Sequence, residues 1–324
     1  MRIKPFRDFN GYLREHFGCR VQKISIDAGL TCPNRDGSKG FGGCVYCNLR
    51  GSGTGASLQK QSIAEQIRQG KANLFRKYKA RKFLAYFQSF SNTYAPLDVL
   101  APMYHEALQD PQVVGLTIGT RPDCVPDPVL DHLQALSSRG NLVWLELGLQ
   151  SAHDRTLQRI NRGHDFAAFL DAAQRISSRN LPLCVHIILG LPGETAEDML
   201  QTARILSRMD IQAVKIHLLY VIRGTELARW HRDGSYTCLT REEYSALAGR
   251  FISLLPPSVI IQRITGDPHP EELVAPLWAL EKQKNFQSIL DHMEAHHLHQ
   301  GKFYTSAPSP AAGFVLPGAQ RRQV

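Results

Sequence analysis

The chain has 324 residues, of which 43% are hydrophobic and 21% are charged, and its formal net charge is +9. This composition is typical of a globular protein with one large domain or two smaller ones. No apolar run is long enough for a membrane-spanning helix, and the polar N-terminus lacks the pattern of a signal peptide, so we expect a cytoplasmic protein with no membrane partner. The positive charge favours an anionic partner such as nucleic acid or a phosphorylated substrate.

Short apolar runs rich in β-formers alternate with helical stretches along the first two thirds of the chain. The predicted strands cover residues 21–26, 83–87, 113–118, 142–149, 183–189 and 214–220, and the predicted helices cover about 58–78, 97–108, 128–138, 166–178 and 196–208. Alternation with helices of this length indicates a parallel sheet with crossover connections. We therefore predict an α/β fold, a partial TIM-like (β/α)6 barrel, with a doubly wound open sheet as the alternative.

The pattern changes after residue 225. Helices are predicted at about 241–255 and 276–297, and one short apolar run at 259–264 lies between them. The last residues are rich in Pro, Ala and Gly without apolar periodicity, which is typical of disorder. We accordingly divide the chain into a core barrel (1–225), a helical C-terminal extension packed on it (226–304) and a disordered tail (305–324).

Polar residues follow the predicted strands at the edge where a parallel barrel forms its active site. They are Gln88, Ser89, Ser91 and Asn92 after the second strand, Thr120, Arg121 and Asp123 after the third, Glu146, Gln150 and Ser151 on or after the fourth, Gly190, Gly193 and Glu194 after the fifth, and Arg223 and Thr225 after the sixth. We expect them to converge on one site.

A cysteine-rich stretch, TCPNRDGSKGFGGCVYC, follows the first predicted strand. Cys32 and Cys44 are separated by eleven residues, and Cys44 and Cys47 by two. Three thiolates hold a metal centre with one open position, as a catalytic centre requires. Two other readings remain open from spacing: a zinc site with Cys19 or His16 as fourth ligand, or a ferredoxin-type electron-transfer centre with Cys19.

Further motifs run through the chain. They are IDAGLTCPNRDG, TRPD (120–123), ELGLQS (146–151), INRGH (160–164), ILGLPGET (188–195), VKIHLLYVIRGTELA (214–228) and QRITGD (262–267). With the wide first cysteine gap and the aromatic Tyr46 before Cys47, these motifs resemble the radical S-adenosylmethionine (SAM) superfamily, specifically its Elp3-like branch and the YhcC/YtqA-type proteins. The resemblance covers roughly residues 5 to 300.

The resemblance implies a [4Fe–4S] cluster held by Cys32, Cys44 and Cys47, with SAM bound at the fourth iron. It also implies an electron from a flavodoxin- or ferredoxin-like donor, which cleaves SAM to a 5′-deoxyadenosyl radical. The SAM contacts that it implies are Tyr46, Gln150, Arg162, Gly190, Gly193, Leu219 and Tyr220, with Gln88 and Ser91 standing where many relatives have a GGEP-like stretch. Asp123, Glu146 and Cys124 are the catalytic candidates.

The substrate implied by Elp3-like relatives is transfer RNA, with maturation of a wobble uridine as the predicted reaction. The alternatives are a radical SAM enzyme acting on a small acidic metabolite and a zinc-stabilised nucleic-acid-binding protein without catalysis. One basic cluster is a candidate RNA contact, although a solvated helical face explains it equally well. Its members are Arg68, Lys71, Arg76, Lys77, Lys79, Arg81 and Lys82.

Overall fold

The main sheet of the computed structural model, which describes residues 4–48, 51, 56 and 59–305, has seven parallel strands. The strands of this sheet are β1 (Val21–Ile26), β2 (Lys82–Phe87), β3 (Val113–Thr120), β4 (Leu142–Gln150), β5 (Leu183–Leu189), β6 (Ala213–Leu218) and β8 (Ile260–Arg263), and a separate antiparallel pair joins β7 (Val221–Ile222) to β9 (Leu273–Ala275). Each strand of the main sheet pairs with the next in chain order. A doubly wound sheet would reverse its strand order at a switch point. The sequential order therefore confirms the predicted partial barrel.

Ten α-helices connect or flank these strands within the described part of the chain. They are α1 (Phe9–Phe17), α2 (Ile63–Tyr78), α3 (Leu97–Leu108), α4 (Asp127–Ser138), α5 (Asp154–Arg159), α6 (Phe166–Ser177), α7 (Ala196–Leu206), α8 (Glu226–Arg232), α9 (Arg241–Leu254) and α10 (Lys282–Ala295). Among the described residues, no helix is both long and apolar enough to cross a bilayer.

Local sequence signals account for several helix ends. Ser62, Thr195 and Thr240 each form a reciprocal capping box, which starts α2, α7 and α9 and satisfies backbone N–H groups that the first turn leaves free. The predicted start of α2 at residue 58 lies outside the described residues. The predicted helix over 276–297 is instead a 3-10 turn (Leu277–Leu280) followed by α10.

The inner face of the half-barrel is closed at the N-terminal ends of the strands by an apolar plug. Helix α1, which the sequence analysis did not predict, contributes Phe9 and Leu13 to this plug. The strands contribute Val21, Leu84, Trp144, Cys184, Ala213 and Ile260. The plug leaves the opposite end, where the strands have their C-termini, as the open end of the barrel.

Leu13→Ala is expected to lower the free energy of unfolding by about 3 kcal/mol, because it leaves a cavity in a plug where Leu13 is 1% exposed. Leu277→Ala is the matched control, since Leu277 is 69% exposed. Urea unfolding of both variants checks this. An unchanged midpoint for Leu13→Ala would show that α1 does not belong to the cooperative core.

The C-terminal segment takes part in the sheet as well as packing on it. The predicted apolar run 259–264 forms β8, which pairs with β6 as the seventh strand. The Gln300 side chain accepts from the Arg7 backbone N–H and donates to the Pro256 and Val259 carbonyls, so the described C-terminus is fastened to the N-terminus. The division at residue 225 stays a prediction, and residues 306–324 of the predicted tail lie outside the described residues.

Candidate functional site

A cleft of about 660 Å³ opens at the C-terminal ends of the strands. The cysteine loop forms one wall, the ends of β2 to β6 form the floor and a second wall, and residues 267–273 lie along the rim. Of the residues predicted to bind metal or cofactor, most line this cleft: Cys32, Cys44, Cys47, Tyr46, Gln88, Ser91, Gln150, Arg162, Leu219 and Tyr220. The expected convergence of polar strand ends on one site is thus observed for these residues.

Asn34 fixes the shape of the cysteine loop. Its buried side-chain amide donates to the backbone carbonyl of Asn161 at 2.6 Å. The backbone carbonyl of Asn34 accepts from the Gly43 N–H at 2.9 Å. The Asn161 amide donates back to the Gly43 carbonyl at 2.9 Å. These bonds dock the loop on the INRGH segment. The sequence analysis missed the role of both asparagines, although each lies inside a motif that it singled out.

Two arginines reach the cysteine thiols. Arg162 Nη1 lies 3.5 Å from Cys44 Sγ, and Arg121 Nη1 lies 4.0 Å from Cys32 Sγ. The Cys47 thiol points to the Asn48 carbonyl at 3.6 Å. The three cysteines are therefore free thiols that share one cleft with two guanidinium groups.

The two predicted alternative fourth ligands, Cys19 and His16, lie far from this group. Cys19 precedes β1 whereas the cysteine loop follows it, so the six-residue strand separates them by roughly 20 Å at about 3.3 Å per residue. His16, on α1, lies at the same far end. Neither predicted alternative ligand can therefore complete a zinc or ferredoxin site with the loop cysteines.

The spacing of the three sulfurs also argues against a single zinc ion. Among the described residues, Glu146, Cys184 and His186 form the one group of three potential ligand atoms that all lie within 4.8 Å of one another. The three loop cysteines do not form such a group, so at least two of their sulfur atoms lie more than 4.8 Å apart. Thiolates bound about 2.3 Å from one tetrahedral zinc would lie closer together. A cluster in which each thiolate binds a different iron suits the wider spacing.

Arg162 is 7% exposed and lies at the centre of the site. Its Nη2 and Nε donate to the Gly148 carbonyl at 2.7 and 3.2 Å. A Cβ at Gly148 would approach Arg162 Nη2 to 2.5 Å and Gln150 Nε2 to 2.7 Å, so glycine is required here for both side chains to reach the cleft. The predicted SAM contact of Arg162 is compatible with this position, although two of its three nitrogens already donate to the backbone.

Asp123 holds Arg121 in place. Two hydrogen bonds of 2.9 Å join the carboxylate to Arg121 Nε and Nη2, and Lys39 Nζ adds a third at 2.7 Å. Burial alone would raise the pKa of Asp123, but these cations hold it well below its ordinary value. Asp123 is therefore a carboxylate that orients a guanidinium, and its catalytic role stays a prediction.

Cys124 and the two predicted loop glycines do not line the cleft. Cys124 lies in a separate groove of about 870 Å³ with Thr93 and Pro122. Burial and, to a smaller extent, the negative charge of Asp123 raise the pKa of the Cys124 thiol to about 12. The Gly190 N–H points to Met199 Sδ and its carbonyl accepts from Tyr236. Gly193 lies beside Arg159. The predicted catalytic role of Cys124 and the predicted SAM contacts of Gly190 and Gly193 stay predictions.

Glu146 lies on the inner face of the barrel, between the apolar plug and the cleft, in a buried charged cluster. Its Oε1 accepts from Lys23 Nζ at 2.5 Å, and its Oε2 accepts from Lys215 Nζ at 2.9 Å and lies 2.6 Å from His186 Nε2. Lys215 Nζ also donates to Tyr86 Oη at 2.6 Å. Glu146 is therefore held by residues of this cluster, and its catalytic role stays a prediction.

The charges in this cluster depend on one another. Burial alone would raise the pKa of Glu146, but Lys215, Lys23 and His186 hold it well below its ordinary value. Burial lowers the pKa of Lys215 to about 8 despite Glu146, and it lowers the pKa of His186 to about 4. At neutral pH the cluster thus contains one carboxylate, two ammonium groups and a neutral imidazole. The sequence signal for this buried cluster is a lysine at the centre of each of two apolar strands, and no prediction above was based on it.

The segment after β8 returns over the cleft. Asn48 Nδ2 donates to Glu272 Oε2 at 2.8 Å, and the Arg223 N–H donates to the Glu272 carbonyl at 2.8 Å. Strand β9 then pairs with β7. This segment brings residues 267–273 to the cleft from a region that the sequence analysis assigned to the extension.

The predicted basic cluster lies away from the cleft. Its residues run from Arg68 in α2, through the connection that follows this helix, to Lys82 at the start of β2. Lys71 pairs with Asp110 at 2.5 Å, and Lys79 lies over the Phe75 ring. This cluster therefore does not border the site that the cysteines define.

Comparison with known proteins agrees with the fold and the cysteine loop. A model of the radical SAM superfamily matches residues 32–206, and a model of the Radical_SAM C-terminal domain matches residues 211–295. The protein YtqA of Bacillus subtilis (strain 168) is 39% identical over 301 residues, which are 93% of this chain and 93% of that protein. The chain belongs to the radical SAM superfamily.

More distant similarities connect the chain to the Elp3 branch. A tRNA uridine(34) acetyltransferase of Dehalococcoides mccartyi (strain CBDB1) is 28% identical over 157 residues, 48% of this chain and 33% of that protein. The archaeal Elp3 structure from Methanocaldococcus infernus superposes with a TM-score of 0.67 at 18% identity, covering 86% of this chain and 64% of that one. The predicted resemblance to the Elp3-like branch is confirmed.

The cofactors of this superfamily are a [4Fe–4S] cluster and SAM, and the residues of the cleft fit them. Three soft thiols are available in one cleft. The buried cation of Arg162 beside Cys44 can balance the negative charge that a thiolate brings. The cleft of about 660 Å³ lies within the usual range for small-molecule sites.

Proposed function

We propose that this protein is a cytoplasmic radical SAM enzyme in which Cys32, Cys44 and Cys47 hold the [4Fe–4S] cluster. When bound, the cluster and SAM supply reductive cleavage of SAM and a 5′-deoxyadenosyl radical that removes hydrogen from the substrate. The observation that carries this proposal is the set of three thiols that line one cleft with Arg162.

The remaining residues bind, orient and enclose. We expect Gln150 and Arg162 to bind the polar groups of SAM, and Gln88 and Ser91, on the loop after β2, line the same cleft. Leu219 is 4% exposed and packs in an apolar cluster with Val45 and Ile188, which suits contact with the flat face of an adenine. Tyr46 completes this side beside Cys44.

Transfer RNA is the substrate class that we propose, with a wobble uridine as the site of reaction. Support comes from the name of the tRNA uridine(34) acetyltransferase relative and from the net charge of +9. A reducing partner such as a flavodoxin or ferredoxin would supply the electron.

Anaerobic reconstitution followed by reduction in the presence of SAM tests the chemistry. We expect iron, sulfide and production of 5′-deoxyadenosine. Stoichiometric zinc without SAM cleavage would contradict the proposal and favour the non-catalytic nucleic-acid-binding alternative.

Deletion of the gene followed by mass spectrometry of tRNA nucleosides tests the substrate class. We expect one modified uridine to be replaced by a precursor, with recovery on complementation by the wild-type gene but not by the Cys44→Ala variant. An unchanged nucleoside profile together with active SAM cleavage would reject tRNA and favour a small acidic metabolite.

A further inference from the structure

Arg263 lies at the end of β8 and lines the cleft. Its guanidinium makes no hydrogen bond or ion pair with any residue that the structure describes. The Arg263 side chain is partly buried. The preceding residue, Gln262, accepts a hydrogen bond from Lys23. Partly burying a guanidinium without a carboxylate partner costs free energy unless a ligand pairs with it.

The register of the sheet puts Arg263 next to a second cation. Lys215 on β6 is the direct partner of Arg263 on β8, so the two side chains leave the same face of neighbouring strands. Lys215 is 6% exposed, and its Nζ is bound by Glu146 and Tyr86. The lysine is thereby held at a fixed position beside the guanidinium.

The charges around this pair do not cancel. Lys23 and Lys215 both pair with the single carboxylate of Glu146, and Arg263 adds a third cation beside Lys215. The nearby His186 and His217 are neutral at pH 7, since burial lowers their pKa values to about 4 and about 3. Of the acidic residues on the rim, Asp267 pairs with Lys282, and Glu272 accepts from Asn48. The floor of the cleft therefore carries an excess of positive charge.

We propose that Arg263 and Lys215 form an oxyanion-binding subsite on the floor of the cleft, which takes a carboxylate or phosphate group of the substrate. The guanidinium supplies a fork of donors and the ammonium a point charge, a combination suited to either anion. This inference rests on the proposed function for the identity of the ligand as substrate. Arg263 and Lys215 line the same cleft as the loop cysteines, so a substrate anchored at the subsite would lie within that cleft.

Binding of inorganic phosphate and of acetate to the cluster-loaded, SAM-bound protein tests the subsite by isothermal titration calorimetry. Arg263→Gln is expected to weaken phosphate or acetate binding at least about tenfold, because it removes a charge-assisted contact. Arg263→Lys should retain most of the affinity. Arg204→Gln is the matched control, since Arg204 pairs with Glu197 on the surface of α7 and its loss should leave binding unchanged. Tighter phosphate than acetate would identify a phosphate group, and the reverse a carboxylate.

Phenylglyoxal modification of the unaltered protein gives a second measurement that needs no folded variant. Phosphate or acetate should protect Arg263, and Arg204 should be modified equally with and without the anion. Three results would each overturn the subsite. They are equal modification of Arg263 in both conditions, no anion binding by the wild type, and a loss of SAM affinity in Arg263→Gln as large as its loss of phosphate affinity. Failure of SAM cleavage with intact, Arg263-dependent anion binding would instead reject the proposed function and leave the subsite standing.

Discussion

Cys44→Ser is expected to remove nearly all the iron that the wild-type protein binds on anaerobic reconstitution, and with it the production of 5′-deoxyadenosine. Cys44 is 7% exposed and is the thiol that Arg162 contacts at 3.5 Å. Removal of one of three donors leaves two, and a serine hydroxyl is a poor substitute because it is a harder ligand and does not ionise as a thiol does. Iron and sulfide analysis with the visible absorbance of the cluster measures the result.

Cys19→Ser is the matched control for this experiment. Both cysteines are free thiols, but Cys19 lies at the opposite end of β1 from the cysteine loop. We expect the Cys19 variant to keep the iron content and SAM cleavage of the wild type. Equal loss of iron from both variants would mean that four thiolates hold the metal and would restore the electron-transfer alternative.

Glu146→Gln is expected to lower the free energy of unfolding by about 3–5 kcal/mol, because it leaves two lysines at a buried site without their carboxylate. Glu146 is fully buried and bound by Lys23, Lys215 and His186. The amide of glutamine can accept only part of this set and supplies no negative charge. Urea unfolding at neutral pH measures the change. Glu197→Gln, at an exposed ion pair with Arg204, should change the free energy by less than about 0.5 kcal/mol.

The effect of Glu146→Gln should also depend on pH. The folded-state pKa of Glu146 lies well below 4.5, its ordinary value. A carboxyl group with a depressed pKa contributes stability that is fully present above its unfolded pKa and is lost as the pH falls through its folded pKa. The difference in unfolding free energy between wild type and variant should therefore shrink below about pH 4.5. A constant difference across that range would show that Glu146 is not ionised in the folded protein.

Local signals in the sequence were sufficient to predict the strands and the cysteine loop. Each strand of a parallel sheet is buried on both faces, so its apolar run is continuous and bounded by turns. The six predicted strands form, and Gln88, Ser91, Arg121, Glu146 and Gln150 line the cleft because carboxyl ends of parallel strands share one edge. Cys32, Cys44 and Cys47 were recognisable as a group because all three lie in the one stretch that follows β1.

Contacts between distant parts of the chain were not predictable in the same way. Residues from β1, β2, β4, β5 and β6 meet around Glu146, and none of these strands shows by itself that its polar residue has partners. Helix α1 is short, and it forms where it can pack against Trp144 and Leu84, so propensity alone gave no reason to expect it.

The sequence by itself determined the fold class, the three-thiol motif and the family, because strand alternation, cysteine spacing and short motifs are properties of neighbouring residues. Only the tertiary structure decided that Cys19 is too far from the loop to be a ligand, that Asp123 and Glu146 are held in ion pairs, and that Arg263 stands beside Lys215 without a carboxylate. These facts depend on strand register and on which side of the sheet each connection returns, and long-range packing sets both.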